Sequence, residues 1–141
     1  MITAIILARC ASSRLSKKHF YKIGKKKLIE IIIDNLKKNE LIDKIYLATG
    51  VKRKNFFFKN IIDHKRNKNF EIYFHKNEEN VTERIYALTK KIKTKYTVLI
   101  SGDCCLVDNS FIERIYNQIK ITDYDFLKTK KKLVHEGITL F

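Results

Sequence analysis

Short apolar runs of strand length alternate along this chain with longer stretches in which apolar residues recur at helical spacing. A chain patterned this way buries its strands side by side in a parallel sheet and covers the sheet faces with helices. The run YTVLIS (Tyr96–Ser101) carries the strongest strand signal, because β-branched and apolar residues follow one another unbroken, as in a strand buried on both faces. Three more strands are expected over 3–8, 44–50 and 70–75. Between them, helices are expected over 27–38, with Leu28, Ile29, Ile32, Ile33 and Leu36 facing inward, and around Val81, Ile85, Leu88 and Ile92. Phe56, Phe57, Phe58, Ile61 and Ile62 mark a short helix, and the three phenylalanines read as core and cover rather than as a platform for bases. NSFIERIYNQIK places Ser110 and Glu113 at capping-box spacing, ahead of an apolar stripe of Phe111, Ile112, Ile115, Tyr116 and Ile119. DYDFLKT starts a further strand. No repeat, linker or low-complexity segment divides the 141 residues, so a single domain is expected: an α/β fold with an open, mostly parallel sheet flanked by helices.

In such sheets ligands bind outside the carboxyl ends of the strands. Two loops are therefore of interest. The first follows Ala8 and reads ARCASSRLSKK, with Arg9, Arg14, Lys17 and Lys18 among Ser12, Ser13 and Ser16. It lacks the glycines of a P-loop or a dinucleotide fingerprint. A solvated turn would look like this; so would a loop that offers charge-assisted donors to a triphosphate, with Lys18 neutralising a departing pyrophosphate. The second loop reads ISGDCCLVD and sets Asp103 directly past a buried strand, behind Gly102. That is a common way to hold magnesium against phosphates, with Asp108 a weaker second acid. The alternative makes Asp103 a turn residue and Asp108 the cap of the next helix.

The formal net charge of +15 suggests nucleic acid, an anionic surface or a phosphorylated ligand. Lysine is spread over the whole chain and proline is absent, however, so a coding bias toward lysine, asparagine and isoleucine accounts for much of the charge. A basic nucleic-acid-binding module lacks support: no aromatic-rich reader strand is present, and the lysines do not gather on one helix. Cys10, Cys104 and Cys105 are odd in number, fit no zinc spacing and read as reduced thiols that pack. No segment approaches the roughly 20 apolar residues of a membrane span, and no signal-peptide layout opens the chain. A cytoplasmic protein without a membrane partner is the expectation.

Taken together, three stretches resemble a known family. ARCASSRLSKK is similar to the Ala-Arg-x-x-Ser-x-Arg-Leu-Pro-x-Lys signature that opens the sugar-acid cytidylyltransferases. SGDCCLVDNSFI resembles the Thr-Gly-Asp-Cys-Pro-Leu-Ile-Asp-Pro motif of the spore-coat polysaccharide type, and ENVTERIYALTKK resembles its Asp-Val-Leu-x-Arg stretch. The acylneuraminate and deoxy-manno-octulosonate enzymes are relatives of that type. The resemblance implies a nucleotide-diphosphosugar transferase, Rossmann-like fold over 1–141. It also implies a reaction in which CMP passes from CTP to a sugar or sugar acid with release of pyrophosphate, in surface polysaccharide or glycan biosynthesis. Carried over by position, Ala8 and Arg9 lie at the nucleotide, Arg9 and Lys18 bind the triphosphate and act in catalysis, and Ser12 and Arg14 shape the loop. Arg84, with the backbone near Asn80 and Val81, lies by the base or ribose, and Asp103 binds Mg2+. An exposed helix arginine is the other reading of Arg84.

The likeness has gaps. Ser16 and Cys105 stand where the family has proline, and Ala11 where it often has glycine. HEGITLF resembles the segment Pro-x-Gly-Leu-Asp-Val-Glu-Val-Phe, whose acid helps complete the metal site, yet Thr139 takes the aspartate position. His135 and Glu136 read as surface rather than as an acid/base pair. The expectation is the amino-terminal, nucleotide-binding portion of such an enzyme, truncated at its carboxyl end, with a homodimer implied when the full domain is present. A catalytically incomplete CTP-binding remnant or subunit is the alternative.

Overall fold

The computed structural model describes residues 2–11, 15–61, 69–122, 127–128 and 138–140. Its main sheet is built on β1 (Ile2–Leu7), which runs between two parallel neighbours, β4 (Ile42–Thr49) and β6 (Tyr96–Ser101). On the far side of β4 lies β5 (Phe70–Phe74), again parallel. Beyond β6 the direction reverses: β8 (Ile138–Leu140) pairs antiparallel with β6, and β7 (Leu127–Lys128) pairs antiparallel with β8. The order β5-β4-β1-β6-β8-β7 gives the expected open, mostly parallel sheet.

Side-chain alternation on β1 assigns the helices to opposite faces. Ile2, Ala4 and Ile6 are buried with Ile29, Ile32, Ile33 and Leu36 of α1 (Leu28–Leu36) and with Ile112, Ile115, Tyr116 and Ile119 of α4 (Asn109–Ile121). On the other face, Ile5 packs with Leu88 of α3 (Val81–Thr89). Each fully buried isoleucine of this kind contributes about 1.5–3 kcal/mol relative to exposure, so the pattern holds both register and topology. Among the described residues, no helix is long and apolar enough to cross a membrane.

Several elements differ from their sequence-based expectation. The phenylalanine cluster forms a 3-10 stretch, Phe56–Asn60, after the short α2 (Lys52–Asn55), and only Phe58 of the three is buried. At the start of α4 the cap is Asp108, not Ser110: its carboxylate accepts the Ser110 N–H at 2.9 Å and the Ser110 hydroxyl at 2.8 Å. A two-stranded hairpin, β2 (Lys22–Ile23) and β3 (Lys26–Lys27), escaped the periodicity because its strands are too short to show alternation. Of the stretch predicted as a final strand, Leu127 and Lys128 are in β7; 123–126 lie outside the described residues, as do Ile62, His135 and Glu136.

Candidate active site

After β1 the chain crosses to β4 on one side, and it returns through β6 on the other. The carboxyl ends of β1 and β6 therefore flank a topological switch point, where diverging loops leave a crevice. A cavity of about 390 Å³ occupies it, lined among others by Ala8, Arg9, Lys18, Val81, Arg84 and Asp103. The two loops singled out in the sequence, and the start of α3, form its walls.

One wall is carried by Lys18, His19, Gly102 and Asp103. Lys18 Nζ pairs with the Asp103 carboxylate, which also accepts the Ser101 hydroxyl. These two bonds hold the Asp103 carboxyl down to about 2, the lysine contributing first. Asp103 is still 48 % exposed, so its remaining lone pairs face the opening. Beneath the pair, the His19 imidazole shares a hydrogen bond of 2.8 Å with the Gly102 carbonyl. Burial holds that imidazole below its usual range, against the pull of the carbonyl bond. Gly102 is needed for close approach, because a Cβ there would lie 2.7 Å from the Leu7 carbonyl and 2.8 Å from the Ala8 Cβ. In the same loop Lys17 adopts a left-handed backbone, φ 53°, that a lysine adopts only at a cost of about 1 kcal/mol. Its ammonium lies 4.0 Å over the Phe57 ring.

The other wall is organised by Glu78. Its main-chain carbonyl accepts Arg84 Nη2 at 2.7 Å and Arg9 Nη1 at 2.9 Å, so two guanidinium groups converge on one oxygen. Arg9 Nη1 also meets the exposed Glu79 carboxylate at 2.6 Å. The Glu78 side chain turns inward and accepts the Val51 N–H at 2.8 Å and the Asn55 amide at 2.9 Å. Asn55 in turn accepts the Cys10 N–H at 2.8 Å, which ties the first loop to the residues before α3. Asn80 caps that helix, accepting the Glu83 N–H at 2.9 Å, and Val81 opens onto the cavity. Arg84 is 1 % exposed, which rules out the exposed-arginine reading, and burial is the first cause that lowers its pKa.

Ala8, Arg9, Lys18, Val81, Arg84 and Asp103 are thus brought together, with Asn80 one residue from the wall. Ser12 and Arg14 lie outside the described residues. Asp108 caps α4 and is not among the cavity-lining residues. Thr139 sits in β8, in register with Leu99. Cys10, Cys104 and Cys105 are free thiols; burial pushes Cys10 up to about 11 and Cys104 upward, so neither of these two is a ready nucleophile. The sequence reading missed Glu78, Asn55, Ser101 and His19. Glu78 and His19 adjoin quoted motifs, at the edge of ENVTERIY and after Lys18, but nothing in their spacing marks them as buried.

Cations and one acid around a switch-point crevice define an open α/β protein with a pocket suited to a phosphorylated ligand. Residues 3–141 match the family model for cytidylyltransferases, and the chain belongs to that family. An uncharacterised protein of Methanocaldococcus jannaschii is 30 % identical over 129 residues, covering 92 % of this chain and 51 % of the relative. The chain thus spans about half the length of the curated relative it matches. Among solved structures, a cytidylyltransferase from Leptospira borgpetersenii superposes with TM-score 0.84 at 19 % identity, covering 99 % of this chain and 59 % of that one. CMP:2-keto-3-deoxy-manno-octonic acid synthetase, solved with CTP, superposes with TM-score 0.70 at 17 % identity over 86 % of this chain and 48 % of that one. At these identities the superpositions speak for the fold.

Proposed function

We propose that this chain carries the nucleotide-binding portion of an enzyme that transfers CMP from CTP to a hydroxyl of a sugar or sugar acid, in surface polysaccharide or glycan biosynthesis. The observation that carries the reading is the convergence of Arg9, Lys18, Arg84 and Asp103 on one switch-point cavity in a member of the cytidylyltransferase family. The spore-coat polysaccharide subtype rests on the motif likeness of SGDCCLVDNSFI and ENVTERIYALTKK. The reaction needs little covalent help. The acceptor oxygen attacks the α-phosphorus, the bond from that phosphorus to the bridging oxygen breaks, and pyrophosphate leaves with the electron pair.

In this reading Arg9 and Lys18 hold the triphosphate, and Lys18 offsets charge that builds on the leaving pyrophosphate. Ala8 allows close approach of the nucleotide, and Ser12 and Arg14 shape the loop. Arg84, with the backbone of Asn80 and Val81, borders the base or ribose. Asp103 and its neighbour Ser101 are hard oxygen donors of the kind magnesium takes. No group of three or more His, Cys, Asp or Glu side chains that could hold a metal ion stands together among the described residues. Bound there, magnesium would neutralise phosphate charge and orient the triphosphate.

The test is direct. Purified protein with CTP, magnesium and a panel of sugars and sugar acids is expected to release pyrophosphate and form a CMP-linked product with at least one acceptor. Neither product with any acceptor, with CTP still bound, favours the second reading, a CTP-binding subunit that is catalytically incomplete. That reading draws on one fact: Asp103 is the single carboxylate among the described residues lining the cavity.

A further inference from the structure

We infer that His19 is a positioning residue that keeps the phosphate-side cation and the metal-side acid in register; the inference rests on the functional reading above. The first loop and the β6 loop meet residue against residue. His19 bonds to Gly102, and one position outward Lys18 bonds to Asp103. The inner pair is built into the fold. His19 is 3 % exposed, its ring lies 5.9 Å from that of Phe58, which is wholly buried, and its Cε1 comes within 3.0 Å of where a Gly102 Cβ would stand.

A carbonyl oxygen only accepts, so the bond to Gly102 requires the proton on His19 Nδ1. Gly102 is then held at both its N–H and its C=O, which belong to successive peptide units. Its N–H donates to the Leu7 carbonyl at 2.9 Å and its C=O accepts from His19. That C=O belongs to the peptide unit leading into Asp103, so fixing the peptide plane fixes where the Asp103 N and Cα stand, the base from which its side chain reaches Lys18. Lys18 is fixed by the same residue, one bond away. A leucine would fill the same space against Phe58 but supply no donor.

Two variants separate the donor from the packing. His19→Asn keeps an N–H near the Nδ1 position; His19→Leu removes it. Binding of CTP is measured by calorimetry with and without magnesium, alongside amide hydrogen exchange without nucleotide. In His19→Leu the magnesium-dependent gain in CTP affinity is expected to fall about tenfold, and the Gly102 and Cys104 amides to exchange about tenfold faster. His19→Asn is expected to stay within about threefold of the parent in both. The inference is overturned if the two variants behave alike, or if His19→Leu keeps both the magnesium effect and the slow exchange. A parent protein that binds no CTP contradicts the functional reading, and the exchange comparison still decides whether His19 holds the loop.

Discussion

The two walls of the cavity are built on different terms. The Glu78 wall is buried, with a carboxylate and an asparagine accepting backbone N–H groups from two other loops. The Asp103 wall faces solvent, and its polar pair consists of side chains that bond each other across the opening. Groups of the first kind are fixed by folding, since releasing them strands buried donors. Groups of the second kind are free to exchange partners; in the proposed function, phosphate would compete with Asp103 for Lys18, and a metal ion with Lys18 for Asp103. The difference is between a wall fixed by folding and a wall whose side chains stay within a ligand's reach.

Breaking the buried wall gives the largest effect. Glu78→Ala leaves the Val51 N–H without its acceptor and the Asn55 amide with the Val51 carbonyl alone, and is expected to lower stability by about 3 kcal/mol, read from urea unfolding. An unfolding midpoint like that of the parent would mean the wall is not buried as described. Gly102→Ala comes next. Its Cβ meets backbone oxygen and the Ala8 Cβ, and the strain is expected to cost about 1–3 kcal/mol on the same scale.

The open wall yields the smallest change in stability and the clearest pH signature. The Asp103 carboxyl, at about 2 when folded, lies below its ordinary value of 3.8. Its stabilising share is therefore complete above that ordinary value and is lost as pH falls toward 2. With the group half exposed, solvent screening keeps that share below about 1 kcal/mol. Asp103→Asn is expected to remove this part of the acid-induced loss and to lower stability at neutral pH by no more than that same share. An identical acid limb in parent and variant would show that Lys18 and Asp103 are not paired.

The same division explains what was legible in the amino-acid sequence. Strands β1, β4, β5 and β6 and the apolar stripes of α1 and α4 follow from periodicity, because their burial is repeated along each element. Arg9, Lys18 and Asp103 were legible as ends of strands, where chemistry gathers. Arg84 was legible by motif, but not its burial: it lies three residues after Val81 and four before Leu88, on the same helix stripe, yet a charged side chain there reads as surface. The structure exposes Val81 to the cavity and buries Arg84, whose Nη2 donates to the Glu78 carbonyl. Glu78, Asn55 and His19 gain their roles from contacts with |i−j| of 23, 45 and 83, which no local pattern encodes.

The proposed function makes these walls a cytidine triphosphate site. Thermal unfolding with excess CTP, UTP, GTP or ATP, each with and without magnesium at moderate salt, tests it most directly. A ligand at roughly 100 times its dissociation constant adds about 2.7 kcal/mol, a shift readily seen. Selective stabilisation by CTP, strengthened by magnesium, is the predicted result. Equal stabilisation by all four nucleotides, or by none, would contradict it.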